Sequence, residues 1–198
     1  MPILIAGTMM FVMLTWLAGT KVLTTHDRKK DGDLAWLARR LEQRPPARVP
    51  GTAVFMTATP DVAPTALMHN LKHNRVLHDR NIVMAIKTEE TPRVPRYERV
   101  EVERISERFY VVTARYGFME LPSVPKLIEH CRRKGLDIDI GASSFFLSRR
   151  TLKPTYGKGL PMWQEDLFVV LASVAEDASE YFRIPTHRVV EIGTQVEI

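Results

Sequence analysis

The stretch GTAVFMTATPDVAPTALMHNLKHNRVLHDRNIVMAIKT, residues 51–88, decides the fold. GTAVFMTA (51–58) and NIVMAIKT (81–88) are short apolar runs rich in β-branched residues, the pattern of buried strands. Between them, Asp61 is placed to cap a helix that Pro64 enters in its first turn and that runs to about Asn74. Strand, helix, strand predicts a crossover unit with parallel strands, and such units are right-handed by default.

The pattern continues outward in the C-terminal direction. YERVEVERIS sets Val100 and Val102 on one face against Arg99, Glu101 and Glu103, and FYVVTARYGF is apolar enough for an inner strand. The short Ser106-Glu107 connection joins these two as a hairpin. Ser123 is placed to cap a helix that turns Leu127, Ile128 and Cys131 inward and ends at Gly135. SSFFLSRR reads as a strand, and WQEDLFVVLASVAEDASEYF as a long amphipathic helix striped by Leu167, Leu171, Val174, Ala178 and Tyr181. HRVVEIGTQVEI alternates as a final strand. Parallel and antiparallel pairs together predict an α/β domain with one mixed sheet flanked by helices.

The segment contains three histidines, the first two spaced as a helix would place two ligands of one metal. On a helix whose inner face is Leu67 and Leu71, however, His69 and His73 point away from the core. A metalloprotease helix needs Glu after the first His, and Asn70 stands there. Only His78 or Asp79 offers a third ligand nearby, beyond the helix. No metal site and no cofactor is expected. Catalysis finds equally little footing. YGKGLP (156–161) lacks the spacing and the terminal Lys-Ser/Thr of a phosphate loop, no Gly-x-Ser-x-Gly elbow occurs, and Asp137 with Asp139 reads as solvated charge. The single cysteine, Cys131, excludes an internal disulfide and reads as buried filler. One anion-binding candidate remains, the cations Arg149, Arg150, Lys153 and Lys158 around Gly157 and Gly159, where guanidinium forks and loop amides suit phosphate oxygens.

Charge is distributed unevenly. The net charge is +5 over 198 residues, yet residues 1–20 carry none, 21–50 carry eight Lys/Arg against four Asp/Glu, and the rest is nearly balanced. A nucleic-acid patch belongs on the folded part, so nucleic acid is not an expected partner. The excess instead follows an apolar run. Twenty uncharged residues, Met1–Thr20, span about 30 Å as a helix, the thickness of a bilayer core. A signal peptide would place its positive charge first. Here Lys21, Arg28, Lys29 and Lys30 follow, which marks the C-terminal side as cytoplasmic, with Trp16 as an interfacial anchor. The expected layout is a transmembrane helix at 1–23, a basic, Pro-rich connector at 24–50, and a cytosolic α/β domain at 51–198. Within the connector, Leu34, Trp36, Leu37 and Leu41 form a short amphipathic helix that can lie on a membrane surface or against the following domain.

Several segments in order, RVPGTAVFMT, APTALMHNLKHNRVLHDRN, ERFYVVTARYGFME, PSVP, SSFFLSRRTL and YFRIPTHRVVEIGTQVEI, closely resemble the C-terminal part of the Kup family of bacterial potassium uptake transporters. The resemblance covers the whole chain. It implies that residues 2–23 are the last helix of a transmembrane bundle that moves K⁺ together with protons, and that the rest is the cytosolic domain beneath it, at the inner membrane. The family's ion-binding residues lie in earlier helices, so none falls on positions 1–198. The resemblance implies the tail of a transporter, not an enzyme and not transport-competent alone. The expected partners are the membrane, K⁺ in the whole protein, the remaining transmembrane part, a second copy as a homodimer, and a nucleotide-like regulator. The competing expectation is an independent membrane-anchored enzyme or small-ligand-binding protein.

Overall fold

The computed structural model describes residues 1–30, 32–153, 161–173 and 182–197. Its elements run in the order α1 (Pro2–Lys30), α2 (Leu34–Gln43), β1 (Ala47–Thr57), α3 (Thr65–His69) with a π-turn at Asn70–Asn74, β2 (Val76–Glu89), β3 (Val100–Arg104), β4 (Phe109–Gly117), α4 (Val124–Arg133), β5 (Ser143–Lys153), α5 (Met162–Ser173) and β6 (Val189–Glu197). The strands form one sheet in the order β3-β4-β2-β1-β5-β6. β1 pairs in parallel with both β2 and β5, β2 pairs in parallel with β4, and β3 closes that edge as the antiparallel half of a hairpin. The α/β class and the mixed sheet agree with the sequence reading.

The layering follows from two facts. Successive strand residues point to opposite faces, so Val54, Met56, Ile82, Met84, Val112 and Ala114 line one core, while Ala53, Phe55, Val83, Phe109 and Val111 line the other. The two crossovers also run in opposite directions, β1 to β2 through α3 and β4 back across to β5 through α4. Crossovers of one hand that run in opposite directions fall on opposite faces. Accordingly α4 seats Val124, Leu127, Ile128 and Cys131 in the first core, and α3 seats Ala66 and Leu67 in the second. The central strands are thus covered on both faces, which is why they read as continuous apolar runs.

Local details depart from the expectation. β1 begins at Ala47, before Pro50, because a bulge absorbs the proline: Val49 pairs with His78 and Thr52 with Arg80, and Gly51 takes φ +108. Asp61 does not cap α3, whose start at Pro64 has no side-chain cap. Its carbonyl instead accepts the Leu34 amide at 3.1 Å, and the Ala63 amide reaches the Gly32 carbonyl at 3.0 Å, which ties this loop to the start of α2. Ser123 occupies the cap position of α4 without a side-chain bond, and Gly135, at φ +88, ends that helix as expected.

Two compact units are distinguished. One comprises Gly32–Arg149 with Asp177–Ile192, the sheet and its helices. The other comprises Met1–Asp31, Arg150–Glu176 and Gly193–Ile198, which includes α1 and α5. The α2 helix belongs to the first, where Leu34, Leu37 and Ala38 are buried in the core of Phe55 and Leu67. Of the two resting places its amphipathicity allowed, Leu34, Leu37 and Leu41 take the sheet domain, whereas Trp36, read with them from the sequence, is left exposed. Asp33 caps it, accepting from the Ala35 and Trp36 amides at 2.7 and 3.3 Å.

Candidate functional site

Helix α1 is the first candidate element. Its stretch Pro2–Lys21 is long and apolar enough to cross a membrane, with a mean hydropathy of 1.8, and only 11% of that window is buried. Two of its hydroxyls return to the helix: Thr8 Oγ1 donates to the Leu4 carbonyl and Thr20 Oγ1 to the Trp16 carbonyl, both at 2.9 Å. In lipid, where no water can serve a hydroxyl, this is how a threonine is satisfied. Within the same unit α5 covers one stripe of α1. Phe11 stacks on Trp163 with ring centroids 5.0 Å apart, Phe168 tilts against Trp16 at 5.6 Å, and Gly19 leaves the room that the Phe168 ring fills.

Of the anion candidates, Arg149 is the one whose side chain is described. It is exposed on β5, and its guanidinium lies 3.3 Å from Glu191 Oε2 on β6. Arg150 and Lys153 lie on the same strand, with their side chains outside the described residues, as is Lys158 entirely. Of the long amphipathic helix, Leu167 and Leu171 fall on α5, and Val174, Ala178 and Tyr181 lie outside the described residues.

The histidines separate. His69 and His73 are neighbours across the switch from α to π winding, their ring centroids 5.6 Å apart, with His69 half-buried and His73 exposed. His78 is on β2, its ring edge-on to Phe146, and burial lowers its pKa against the opposing pull of Asp79. Among the described residues no group of three His, Cys, Asp or Glu is placed to hold a metal ion. Asp137 and Asp139 do not work as a pair. Asp137 accepts from Arg132 Nε at 2.8 Å, and Asp139 accepts the Gly141 amide at 2.8 Å. Cys131 is buried in the α4 core, where desolvation pushes its thiol up to about 12, far from a reactive thiolate.

One charged assembly escaped the sequence reading. Arg99, just before β3, forms a close ion pair with Glu120, just after β4, and also donates to the Val94 carbonyl at 2.8 Å. Glu120 Oε2 in turn accepts the Val94 amide at 3.0 Å and the Gly117 amide at 2.9 Å. Burial pushes the Glu120 carboxyl up, but the two amides and the Arg99 charge outweigh it and hold its pKa below the ordinary value. The guanidinium also lies over the Tyr116 ring, 5.2 Å from its centroid. This lock fastens the 90–99 loop to the turn after β4. Twenty-one residues separate its partners, and no local spacing signals them.

The family model described as the potassium transporter C-terminal domain matches residues 50–198. Over 197 residues the chain is 51% identical to the probable potassium transport system protein Kup 3 of Bradyrhizobium sp. (strain BTAi1), covering 100% of this chain and 31% of that protein. Over 198 residues it is 46% identical to the probable potassium transport system protein Kup of Caulobacter vibrioides (strain NA1000), covering 100% of this chain and 30% of that protein. A third relative, from Nitrobacter winogradskyi, is 49% identical over 197 residues. The chain therefore spans about 30% of the length of these relatives. No solved structure matches.

Proposed function

The chain belongs to the Kup potassium transporter family, whose C-terminal domain it carries at residues 50–198, and we propose that it forms the membrane-exit helix and cytoplasmic domain of a K⁺ uptake system. In this reading Pro2–Lys21 spans the inner membrane, residues 24–50 connect, and the α/β domain lies on the cytoplasmic side. The observation that carries it is the junction itself: an apolar, mostly unburied helix of membrane length, then a segment with twice as many cations as anions, then a domain matched to potassium transporters. K⁺ movement, with protons as the coupled ion, belongs to the whole transporter. A lone span cannot surround a dehydrated cation with enough oxygen ligands.

The domain's role is assembly and control. Such a domain can act on a transporter by binding one conformation better than another, through a second copy or a nucleotide-like ligand at the basic segment of Arg149, Arg150, Lys153 and Lys158. The test is rubidium uptake in cells that lack their own uptake systems. The chain alone should give none. The Caulobacter relative with its own C-terminal domain replaced by residues 24–198 should retain uptake that the domainless relative loses. Uptake by the chain alone, or a chimaera no better than the truncation, would refute the assignment.

A further inference from the structure

A groove of about 480 Å³ lies between α2 and the α3–π-turn segment, on the side of the sheet unit that α2 covers. Leu41, Met68 and Leu71 form an apolar floor, and Arg40, Arg44 and Lys72 stand around it, all three exposed. Among the described residues no carboxylate lies within ion-pair distance of these three cations. The nearest acid in sequence, Glu42, is turned away, accepting the Glu107 amide at 3.2 Å at the β3–β4 turn. Beside the groove Trp36 is 59% exposed, with the Arg40 guanidinium 5.2 Å from its ring centroid. An apolar floor ringed by uncompensated cations, with an exposed tryptophan beside it, calls for a partner that is anionic at one level and apolar just beyond it.

We infer that this groove docks on acidic phospholipid, its cations on the phosphate groups and its floor and Trp36 against the glycerol and upper acyl level. The inference rests on the reading that α1 spans a membrane, because that supplies the lipid. The chain enforces proximity. Beyond Lys21, α1 continues to Lys30, about 14 Å at about 1.5 Å per residue, and the few residues to Leu34 add at most about 14 Å when extended. Guanidinium forks suit phosphate oxygens, and tryptophan with basic residues is the composition of a surface-seated helix. Because the apolar stripe of α2 is already buried on the sheet, contact must be made by its basic outer face, which makes the docking depend on lipid charge.

The test uses the full chain in nanodiscs of phosphatidylcholine alone or with about one third phosphatidylglycerol, followed by hydrogen exchange. Exchange across 34–44 and 65–74 should slow in the acidic discs, and the slowing should vanish at high salt as screening shortens the reach of the charges. Each of Arg40→Gln, Arg44→Gln and Lys72→Gln should reduce the preference about fivefold, the value of one basic residue near an acidic surface. Arg40→Lys should retain it. Unchanged exchange at Ile82–Ala85 in every variant certifies an intact fold. Equal protection in both disc types, protection that rises with protein concentration as a second copy would produce, or full reproduction by soluble glycerol phosphate would each overturn the proposal. Loss of the chain from both disc types on alkaline washing would instead show that α1 does not span, and the docking would fall with that reading.

Discussion

Helix α1 and strand β2 are both strongly apolar, yet they end in opposite situations. β2 buries Ile82, Val83, Met84 and Ala85 completely, whereas α1 leaves Ile3, Leu4 and Ile5 more than half exposed. Apolar composition alone therefore does not decide burial. A second apolar face in the same chain does: β2 meets α4 on one side and α2 with α3 on the other, while among the described residues of its own unit α1 meets α5 along one stripe. The surface that α1 leaves open suits lipid and other membrane helices. The α5 contact is at odds with full lipid immersion, because stacking on Phe11 and Gly19 would carry the exposed Asp166 to bilayer depth, where a carboxylate costs several kcal/mol. On the proposed reading that α1 spans a membrane, lipid and α5 compete for one face of it.

The contrast can be broken most forcefully in the sheet. Phe55→Ala, at a fully buried ring stacked on Phe146, should cost about 3–5 kcal/mol by urea unfolding of the full chain in detergent, while Ile3→Ala in α1 should leave that transition in place. Next, Leu14→Arg places a charge in the middle of the apolar window and should weaken insertion by about 3 kcal/mol, seen as chain released from membranes by alkali with its sheet still folded. A smaller effect is expected at the lock. Arg99→Met should cost about 2 kcal/mol by leaving the largely buried Glu120 carboxylate without its partner. Because the folded pKa of Glu120 is depressed, the lock's contribution is fully present above the ordinary glutamate value of about 4.3 and is lost as pH falls through the folded value. Acid unfolding of the Glu120→Gln variant should therefore be less steep. Gly19→Leu should drive the Phe168 ring off α1 without reducing membrane retention, read by near-UV dichroism together with alkaline extraction. The smallest change is expected from His69→Ala with His73→Ala, less than about 0.5 kcal/mol, with no bound zinc lost.

Much of the sheet was legible because its signals are local. The runs at 51–58 and 81–88, the short hairpin link around Ser106-Glu107, which the structure widens to residues 105–108, and the stop at Gly135 each depend on neighbours within a few residues. What escaped needed distant partners. Pro45, Pro46 and Pro50 look like breakers, yet β1 runs from Ala47 because a bulge pairs it with β2. Asp61 looks like a cap, but the chain there is held by α2. Of the basic segment proposed as an anion site, the one described side chain, Arg149, faces a carboxylate from β6, forty-two residues away.

Period and composition in the chain determine that there is a membrane-length helix, that positive charge follows it, and that strands and helices alternate into an α/β sheet, since each of these follows from the spacing of apolar and charged residues along a few turns. Tertiary structure alone decides what the apolar stripe of α2 rests on, which cations around the groove beside α3 lack a carboxylate among the described residues, and that Arg99 finds Glu120. Those outcomes turn on pairings between segments, where strand register and crossover direction set which side chains meet, and a neighbour-by-neighbour reading holds no record of either.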